Sequence, residues 1–386
     1  MVEAKFFFGG LGLKNFVKLI QQVYEQRYMQ VLKKILAKKI PVALLSIDSK
    51  AIDTVKNFRE QGLNVTLLIT EKTSRDDLEF DVVALNDAAK IYPPPEYIFV
   101  ENLFAPRVAL KNFPASKVIS LNGSTDEAYE VFMTHLDELR EVYESLIDEK
   151  SKKTFCGYWL GNISNQLGEI FYSNEAHYLI NGFIPERGAV VIDGGVFDGG
   201  TAALFAQMGY EVYGFEPSTK NFELARKVAE ENNFVAENLG LGSFKHEATF
   251  LQDEIPGSSK FDVNGTEIVQ VTTLDAYVRE KNLQRVDFIK LDVEGAELDI
   301  LRGAVTTIAR FKPILALSAY HKWDDFWTLM NFVKSIRPDY EFALRQSFDS
   351  VEDTPSLFTQ EYLTALDELG LERDIRSFNE CVLFAR

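Results

Sequence analysis

The sequence is poor in cysteine and in basic residues. Of its 386 residues only Cys156 and Cys381 are cysteines, and they lie far apart without CxxC or Cys/His spacing. This excludes a disulfide framework, gives no sign of a zinc site and favours a reducing, cytoplasmic setting. Lysine and arginine number 41 against 58 acidic residues, a formal net charge of −17. We therefore expect no nucleic-acid partner, because binding to phosphate backbones needs clustered positive charge.

The sequence also contains no apolar run long enough to span a bilayer. Phe6 to Phe8 near the start are not accompanied by a basic leader or a cleavage-like site, so we expect no targeting segment and no membrane span. With 46% hydrophobic residues the chain can bury a sizeable core. A protein of two domains is the expectation from length.

The most informative stretch is GAVVIDGGVFDGG, from Gly188 to Gly200. Its apolar run Ala189–Ile192 predicts a strand that is buried on both faces of a parallel sheet, and Asp193 ends the run. The glycines that follow let the backbone turn sharply next to a ligand, because no Cβ is in the way. From Thr201 the pattern is helical. Strand, glycine turn and helix in this order predict a ligand-binding crevice.

An acidic residue follows the next predicted strand. Glu211–Phe215 is expected to be that strand, and it is followed directly by Glu216-Pro217. A carboxylate at this position can accept hydrogen bonds from both hydroxyls of a ribose. The short strand Val235–Glu237 then leads into a turn beginning Asn238-Leu239, where an adenine edge could lie.

The second informative stretch is VDFIKLDVEGAELDILRG, from Val286 to Gly303. It predicts a buried strand and then a helix, with Asp292, Glu294 and Glu297 at the junction. Three carboxylates there could support proton transfer, bind a cation or bind a cationic ligand. No histidine is near them in the sequence, so we predict no metal.

The N-terminal part, residues 1–123, predicts a smaller open α/β domain of Rossmann-like type. Apolar residues at helical spacing in Leu13–Lys38 predict one or two amphipathic helices, and a βαβ unit follows. The first strand leads into Ser46–Lys50, which contains no glycine to admit a pyrophosphate. We expect this domain to be structural or to recognise a substrate or partner. Its predicted strands are Pro41–Ser46, Asn64–Ile69, Asp81–Leu85, Tyr97–Val100 and Lys117–Leu121.

Residues 124–182 are predicted to be a helical linker or cap. Ser124–Lys152 has an apolar stripe typical of one long helix, and Thr154–Gly182 is predicted to be a second helical region. The second region is rich in aromatic residues, which we interpret either as core packing or as a cap over the crevice. Residues 183–386 then form the catalytic domain.

These motifs resemble the FkbM family of S-adenosylmethionine-dependent methyltransferases. The resemblance covers Tyr172 to Arg386 and rests on VIDGGVFDGGT, GFEP, DFIKLDVEGAELDILRGA, ALSAYHK and the terminal ECVLFA. It implies an α/β fold with the seven-stranded, Rossmann-like sheet of class I methyltransferases, whose last strand is reversed. It also implies methyl transfer to an oxygen of a sugar, a glycan or a secondary metabolite such as a polyketide.

The resemblance implies roles for individual residues. Asp193 and Gly195 would line the methionine and ribose part of the cofactor, and Glu216 would hold its ribose. Asn238 would lie near the adenine, and Asp292 beneath the transferring methyl. The complete predicted cofactor-binding set is Asp193, Gly194, Gly195, Asp198, Gly199, Glu216, Pro217, Asn238, Leu239, Asp292 and Glu294.

The chemistry of the glycine turn agrees with this resemblance. Its sequence DGGVFDGG has no GxGxxG spacing, which a dinucleotide site uses to reach a diphosphate. We expect Asp193, Asp198 and Asp292 at the rim to attract a positively charged sulfonium and ammonium. Two alternatives are an NAD-dependent oxidoreductase of similar fold and a binding protein of this fold that has lost catalysis.

A hydroxyl acceptor needs a base, since it is a poor nucleophile until it loses its proton. His321 follows the predicted strand Ile314–Ala319 and is therefore expected at the same sheet edge as the glycine turn. We predict that His321 or Asp292 deprotonates the acceptor; a surface histidine beside Lys322 is the alternative. Phe348–Ser377 is expected to be an insertion that binds the acceptor. The acceptor is a small molecule or a glycan, and a homodimer is compatible with the sequence.

Overall fold

The computed structural model describes residues 13–24, 29–46, 51–70, 78–84, 87, 90–91, 93–100, 113, 116–120, 125–164, 169–251, 260–261, 265–347, 349–350, 374–375 and 380–386. The chain divides into two compact units. The first comprises Met1–Leu136, Phe155–Phe171 and Ile375–Phe378, and the second comprises Asp137–Thr154, Tyr172–Asp374 and Asn379–Arg386. The domain limits predicted at residues 123 and 182 stay predictions.

A parallel sheet forms the centre of the first unit. Its described strands are β1 (Val42–Leu45), β2 (Val65–Thr70), β3 (Asp81–Ala84), β4 (Tyr97–Val100) and β5 (Lys117–Ser120). They lie in the order β3-β2-β1-β4-β5, and every neighbouring pair is parallel. β1 and β4 are buried at all four positions, as expected for apolar strands covered on both faces, whereas β3 is only partly buried.

Three helices accompany this sheet along the chain: α1 (Leu13–Val23), α2 (Met29–Lys38) and α3 (Ala51–Glu60). Val55 of α3 packs with Leu68 and Tyr97 of the sheet in one fully buried cluster. Gly62, with φ +93°, takes the chain out of the helix toward β2. The part of the loop Ser46–Lys50 that follows Ser46 lies outside the described residues.

The long helix predicted over Ser124–Lys152 is wrong, because the chain forms three separate helices there. These are α4 (Thr125–Thr134), α5 (Leu136–Ser145) and α6 (Glu149–Ser164). After α5 the Ile147 amide donates to the Phe342 carbonyl oxygen at 2.9 Å, so the chain leaves the helix to pair with a strand. Asp148 Oδ1 then accepts from the Ser151 amide at 2.7 Å and caps α6.

The helical region predicted over Thr154–Gly182 is also wrong beyond Ser164, where α6 ends. Residues 169–182 are described and contain no α-helix. The Ser173 amide donates to the Gln346 carbonyl oxygen at 2.6 Å. This segment therefore forms a backbone hydrogen bond with a distant strand instead of within a helix. The local sequence pattern gives no sign of this pairing.

A larger mixed sheet forms the centre of the second unit. The remaining strands of the chain are β6 (Val190–Gly194), β7 (Glu211–Phe215), β8 (Val235–Glu237), β9 (Gly240–Leu241), β10 (His246–Leu251), β11 (Lys260–Phe261), β12 (Glu267–Thr272), β13 (Phe288–Leu291), β14 (Ile314–Ser318), β15 (Phe342–Gln346), β16 (Asp349–Ser350), β17 (Asp374–Ile375) and β18 (Cys381–Ala385). Seven of the described strands pair in the order β15-β18-β14-β13-β6-β7-β8. Within this sheet β18 runs antiparallel to both of its neighbours, β15 and β14, and the other neighbouring pairs are parallel. The expected seven-stranded sheet with a reversed last strand is thus confirmed.

The other helices of this unit are α7 (Gly200–Gln207), α8 (Thr219–Asn232), α9 (Leu274–Glu280), α10 (Glu297–Arg302), α11 (Val305–Phe311) and α12 (Asp325–Ile336). The predicted hairpin is present as the antiparallel pair β10 and β12, within a separate sheet ordered β11-β10-β12-β9. None of the described helices combines the length and the apolar character needed to cross a membrane. The insertion Phe348–Ser377 lies outside the described residues except for β16 and β17.

The second unit contains a buried ionic cluster on β15. Arg345, whose side chain is 4% exposed, contacts Asp148 Oδ2 at 2.8 Å and Glu175 Oε2 at 2.9 Å, and its Nη1 donates to the Ser151 hydroxyl at 2.7 Å. Burial alone would raise the pKa of each carboxyl group, but the hydrogen bonds from Arg345 outweigh burial and lower both pKa values to about 2. Through Arg345, the cluster links the segments around residues 148 and 175 to β15.

We predict that Arg345→Met destabilises the second unit strongly. Removing the guanidinium leaves two carboxylates without their common partner, which should lower the free energy of unfolding by about 2–3 kcal/mol, less than for a fully buried pair because Asp148 is 38% exposed and Glu175 keeps its contact with Lys150. Urea unfolding followed by fluorescence measures this difference. The matched control is Arg302→Met, since Arg302 forms an exposed ion pair with Asp299 within α10. Equal unfolding midpoints for the two variants would contradict the prediction.

Candidate active site

A buried ion pair joins the two central strands at the glycine turn. Lys290 of β13 lies opposite Asp193 of β6, with 3.0 Å between Nζ and Oδ1, and the two side chains are 4% and 0% exposed. Burial alone would lower the pKa of Lys290, but the carboxylates of Asp193 and Asp292 outweigh it and raise the pKa, so the ammonium stays charged. The expectation that Asp193 lies at the rim is therefore wrong, since its charge is buried and opposed by Lys290.

The same ammonium holds the backbone of the glycine turn. Lys290 Nζ donates to the Gly195 carbonyl oxygen at 2.8 Å, and the Asp292 amide donates to the Gly194 carbonyl oxygen at 3.1 Å. Gly195 has φ +79°, and a Cβ on it would lie 1.9 Å from the Asp292 carbonyl oxygen. The turn after β6 and the loop after β13 thus touch through backbone atoms, which only glycine permits.

The amide groups of this turn are largely engaged within the protein. Gly195 and Val196 donate to the Phe215 carbonyl oxygen, and Gly199 donates to the Val196 carbonyl oxygen. The Phe197 amide donates to Glu216 and the Gly200 amide to Asp198. A diphosphate needs several amide groups of such a turn as donors. The turn is therefore poorly suited to a dinucleotide.

Glu216 lies directly after β7 and is 5% exposed. Its Oε2 accepts from the Phe197 amide at 3.0 Å and its Oε1 from the Ser218 amide at 2.9 Å. Burial raises the pKa of Glu216 to about 7, although these two hydrogen bonds oppose the shift. Each carboxylate oxygen has a second lone pair, so the group can accept further hydrogen bonds from a ligand.

Other predicted residues shape the loops around Glu216. Asn238 donates through Nδ2 to the carbonyl oxygens of Glu216 and Pro217 at 3.0 and 3.1 Å, and Leu239, which follows it, is half-buried. Asp198 accepts from the Gly200 amide at the start of α7, and Gly199 adopts φ +92° there. Asp198 therefore caps a helix, and Asn238 holds the loop after β7.

The carboxylate of Asp292 accepts hydrogen bonds from two different parts of the chain. The Tyr178 hydroxyl donates to its Oδ2 at 2.8 Å and the Tyr320 hydroxyl to its Oδ1 at 3.1 Å. Burial alone would raise the pKa of Asp292, but Lys290 and His321 outweigh it and lower the pKa, so the carboxylate is ionised. Its side chain is 24% exposed and can thus meet a ligand.

His321 lies beside Asp292, as the sequence predicted for the end of β14. Its Nδ1 is 2.8 Å from Glu297 Oε1, while its Nε2 is 3.5 Å from Asp292 Oδ1 and 3.6 Å from Glu294 Oε2. Burial alone would lower the pKa of His321, but the hydrogen bond and charge of Glu297, together with the other carboxylates, raise it to about 9. Its side chain is 9% exposed, so the alternative of a surface histidine is wrong.

Lys290, Tyr178 and Tyr320 are the site residues that sequence reasoning missed. Lys290 had a sequence signal, since it is a charged residue inside an otherwise buried strand. Tyr178 had only a weak signal in its aromatic-rich segment, because 114 residues separate it from Asp292. Asp292, Glu297 and His321 each offer a ligand atom within 4.8 Å of the others, and the prediction of no metal stays a prediction.

Residues 193–353 match the family model described as the methyltransferase FkbM domain. The matched segment begins at Asp193 and includes Glu216, Asp292 and His321, and it confirms the predicted resemblance over these residues. A search of curated proteins found no match to the chain.

The fold has counterparts among solved structures. A structure described as methyltransferase FkbM from Methylobacillus flagellatus has a TM-score of 0.68 at 15% identity, covering 97% of this chain and 99% of its own. At this identity the likeness shows a common fold. An rRNA methylase from Streptococcus thermophilus (TM-score 0.29, 13% identity) and a TehB-like SAM-dependent methyltransferase from Corynebacterium glutamicum (TM-score 0.26, 15% identity) each cover 52% of this chain, and 89% and 80% of their own.

We predict that Gly195→Ala damages the site far more than Gly188→Ala. Both glycines have positive φ, so both variants carry the roughly 1–2 kcal/mol strain of a left-handed alanine. A Cβ at residue 188 meets nothing within 4 Å, whereas at residue 195 it must push the Asp292 backbone away. Urea unfolding should show Gly195→Ala to be less stable than Gly188→Ala by about 2–3 kcal/mol. Equal stability would show that the turn and the Asp292 loop move apart freely.

Proposed function

We propose that this protein transfers a methyl group from S-adenosylmethionine to a hydroxyl oxygen, because residues 193–353 match the family model of the methyltransferase FkbM domain. The observation that carries the proposal is the pairing of a buried Glu216 with a glycine turn whose amides are engaged. This arrangement suits a nucleoside that carries no diphosphate.

Each part of the cofactor has a proposed partner. The carboxylate of Glu216 accepts hydrogen bonds from the ribose hydroxyls, and the backbone at Asn238 and Leu239 borders the adenine. The glycine turn, from Gly194 to Gly199, accommodates the methionine part. Asp292 and Glu294 supply the negative charge that attracts the sulfonium and the ammonium, since the charge of Asp193 is compensated by Lys290.

The proposed reaction is an in-line displacement. The acceptor hydroxyl passes its proton to the carboxylate of Asp292 or to Nε2 of unprotonated His321, its oxygen lone pair forms the new bond to the methyl carbon, and the bond between carbon and sulfur breaks. The electron pair of that bond stays on sulfur, which converts the sulfonium to the neutral thioether of S-adenosylhomocysteine. His321 or Asp292 is the proposed base, and because the pKa of His321 is about 9, the fraction of His321 that can accept the proton rises with pH. Alignment of the two substrates supplies much of the rate.

The proposed acceptor class is a sugar, glycan or secondary-metabolite hydroxyl. Asp292 lies between the hydroxyls of Tyr178 and Tyr320, and His177 stacks on Tyr178 with 4.2 Å between ring centroids. Aromatic rings beside carboxylates suit a ligand with both apolar faces and hydroxyl groups. The support for this class comes from the family expectation and from these residues together.

Cofactor titration tests the proposed function directly. Isothermal titration calorimetry should show saturable binding of S-adenosylmethionine and no heat with NAD. Mixtures of glycans and hydroxylated metabolites can then be screened for release of S-adenosylhomocysteine. Saturation by NAD without binding of S-adenosylmethionine would overturn the proposal, and cofactor binding without any turnover would favour a binding protein that has lost catalysis.

We predict that Glu216 makes cofactor binding pH-dependent. Its pKa of about 7 means that lowering the pH from 8 to 6 protonates the carboxyl group and removes the charge that the ribose hydroxyls bind. The Kd for S-adenosylmethionine should rise by about tenfold across this range. The Glu216→Gln variant should bind more weakly and lose this part of the pH dependence.

The difference between the pH profiles of the Kd for wild type and for Glu216→Gln reports the contribution of Glu216 alone. Other charged groups, including Lys290 beside the site and the amino group of the cofactor, contribute equally to both profiles. Glu211→Gln is the matched control. Glu211 is the exposed first residue of β7, the strand that Glu216 follows, so it lies at the end of the strand away from the site. If Glu216→Gln and wild type showed parallel pH profiles, ribose binding by Glu216 would be wrong.

We also predict that His321→Ala slows methyl transfer without weakening cofactor binding. Loss of the group that activates the acceptor should reduce kcat about 10²–10⁴-fold, with the Kd for S-adenosylmethionine within about twofold. The matched control is His246→Ala, since His246 is an exposed histidine on β10. Near-normal turnover in both His321→Ala and Asp292→Asn would exclude these residues from catalysis.

A further inference from the structure

The imidazole of His321 is held in one orientation by Glu297. Glu297 is the first residue of α10 and is 1% exposed. Its Oε1 lies 2.8 Å from Nδ1 of His321 and also accepts from the Val293 amide at 3.0 Å. A carboxylate oxygen only accepts hydrogen bonds, so Nδ1 carries a proton. The ring is therefore fixed, and Nε2 is the ring nitrogen that faces Asp292.

Two further carboxylates keep the second nitrogen protonated. Asp292 Oδ1 lies 3.5 Å and Glu294 Oε2 lies 3.6 Å from Nε2. Burial alone would lower the pKa of His321, but Glu297, Asp292 and Glu294 together raise it to about 9. At neutral pH the ring is therefore an imidazolium, with an N–H group at each nitrogen.

The other charged and titratable groups near the ring leave this cation in place. Asp325 of α12 is 3% exposed and accepts from the Lys322 amide at 2.7 Å, and burial and the charge of Glu297 raise its pKa to about 7. The ammonium of Lys322 donates to the Gly295 carbonyl oxygen. The ring of Tyr320 lies 4.2 Å from the imidazole, and burial raises the pKa of its hydroxyl well above the ordinary value, so it stays neutral.

The Nε2–H group of His321 is suited to a ligand oxygen. Nε2 is buried and forms no hydrogen bond with any described residue, and the side chain is 9% exposed. Its distances to Asp292 and Glu294 exceed the 2.7–2.9 Å or so of a charge-assisted hydrogen bond. Because Nε2 and Asp292 Oδ1 are only 3.5 Å apart, one hydroxyl oxygen can accept from the first and donate to the second.

We propose that Glu297 is a positioning residue, which directs Nε2–H of His321 at the acceptor oxygen while Asp292 takes the proton of the acceptor. This inference rests on the proposed function and chooses between its two candidate bases. The proton passes from the acceptor hydroxyl to the Asp292 carboxylate, and His321 keeps both of its protons. The freed lone pair bonds to the methyl carbon, and the electron pair of the broken bond stays on sulfur. A fixed cation beside the acceptor oxygen favours loss of its proton.

NMR titration of the histidine rings in the full chain tests the role of Glu297 without an acceptor. The chain has four histidines, so labelling them with ¹⁵N gives few signals, and His321→Ala identifies the signal of His321. We expect a titration midpoint near pH 9 in wild type. In Glu297→Gln the midpoint should fall to between about pH 7 and 8, because one adjacent negative charge is lost.

The matched control is Asp299→Asn, which removes an exposed carboxylate from the same helix and should leave the midpoint unchanged. A glutamine amide oxygen still accepts from Nδ1–H, so Glu297→Gln removes the charge and keeps the hydrogen bond. Melting curves check that both variants fold. An equal midpoint in wild type and Glu297→Gln would overturn the inference, as would a wild-type midpoint near the ordinary value of about 6.5.

The direction of the pH dependence of turnover distinguishes a cation from a base. With an acceptor from the screen and saturating S-adenosylmethionine, kcat of wild type should fall as the pH rises through about 9. Glu297→Gln should match wild type within about twofold at pH 6 and be about 3–10-fold slower at pH 8.5. A kcat that rises through pH 9 in wild type would overturn the inference, because unprotonated His321 would then be the base. This measurement on wild type holds even if Glu297→Gln does not fold.

Cofactor calorimetry separates this inference from the proposed function. A shifted His321 midpoint in Glu297→Gln without binding of S-adenosylmethionine would remove the proposed methyl transfer and leave the positioning of His321 by Glu297. Normal cofactor binding and turnover with an unshifted midpoint would remove only the inference.

Discussion

The ion pair of Lys290 and Asp193 is the constraint on which the site depends. Two neighbouring parallel strands place these residues opposite each other, and neither charge could be buried without the other. The same Nζ holds the Gly195 carbonyl oxygen, so one ammonium fixes both the strand pairing and the glycine turn. Loss of this cation would leave Asp193 buried without its ion-pair partner, which is strongly destabilising.

This pairing changes how the negative charge of the site is distributed. Asp193 is compensated by Lys290 and Asp198 caps α7, so two of the three acids expected to attract a cationic cofactor have structural partners. Asp292 keeps its charge and part of its exposure, and Glu294 Oε2 lies 3.6 Å from Nε2 of the neighbouring His321. The attraction for a cation is thus concentrated at the carboxyl end of β13, next to the glycine turn, instead of being spread around a rim.

The sequence predicted the elements that local patterns determine. Buried strands such as Val190–Gly194 appear as apolar runs, and the carboxyl-edge rule brought Glu216, Asp292 and His321 to one edge. The failures have a common physical cause, which is pairing between distant segments. Ile147 and Ser173 leave the predicted helices because Phe342 and Gln346 accept from their amides, and Tyr178 reaches Asp292 across 114 residues. A pattern with a period of a few residues contains no information about such partners.

The same distinction separates the proposed cofactor site from the proposed acceptor site. The groups proposed for the nucleoside come from loops that follow β6, β7 and β8 directly, so strand geometry fixes them and a sequence motif can identify them. The groups around Asp292 come from three separate parts of the chain: Tyr178 before β6, Glu297 in α10, and Tyr320 with His321 after β14. Tyr178 and Tyr320 donate to the carboxylate of Asp292, and Glu297 orients the ring of His321. The strand edge can therefore hold the proposed cofactor while changes in these three segments alter the proposed acceptor and the means of its activation.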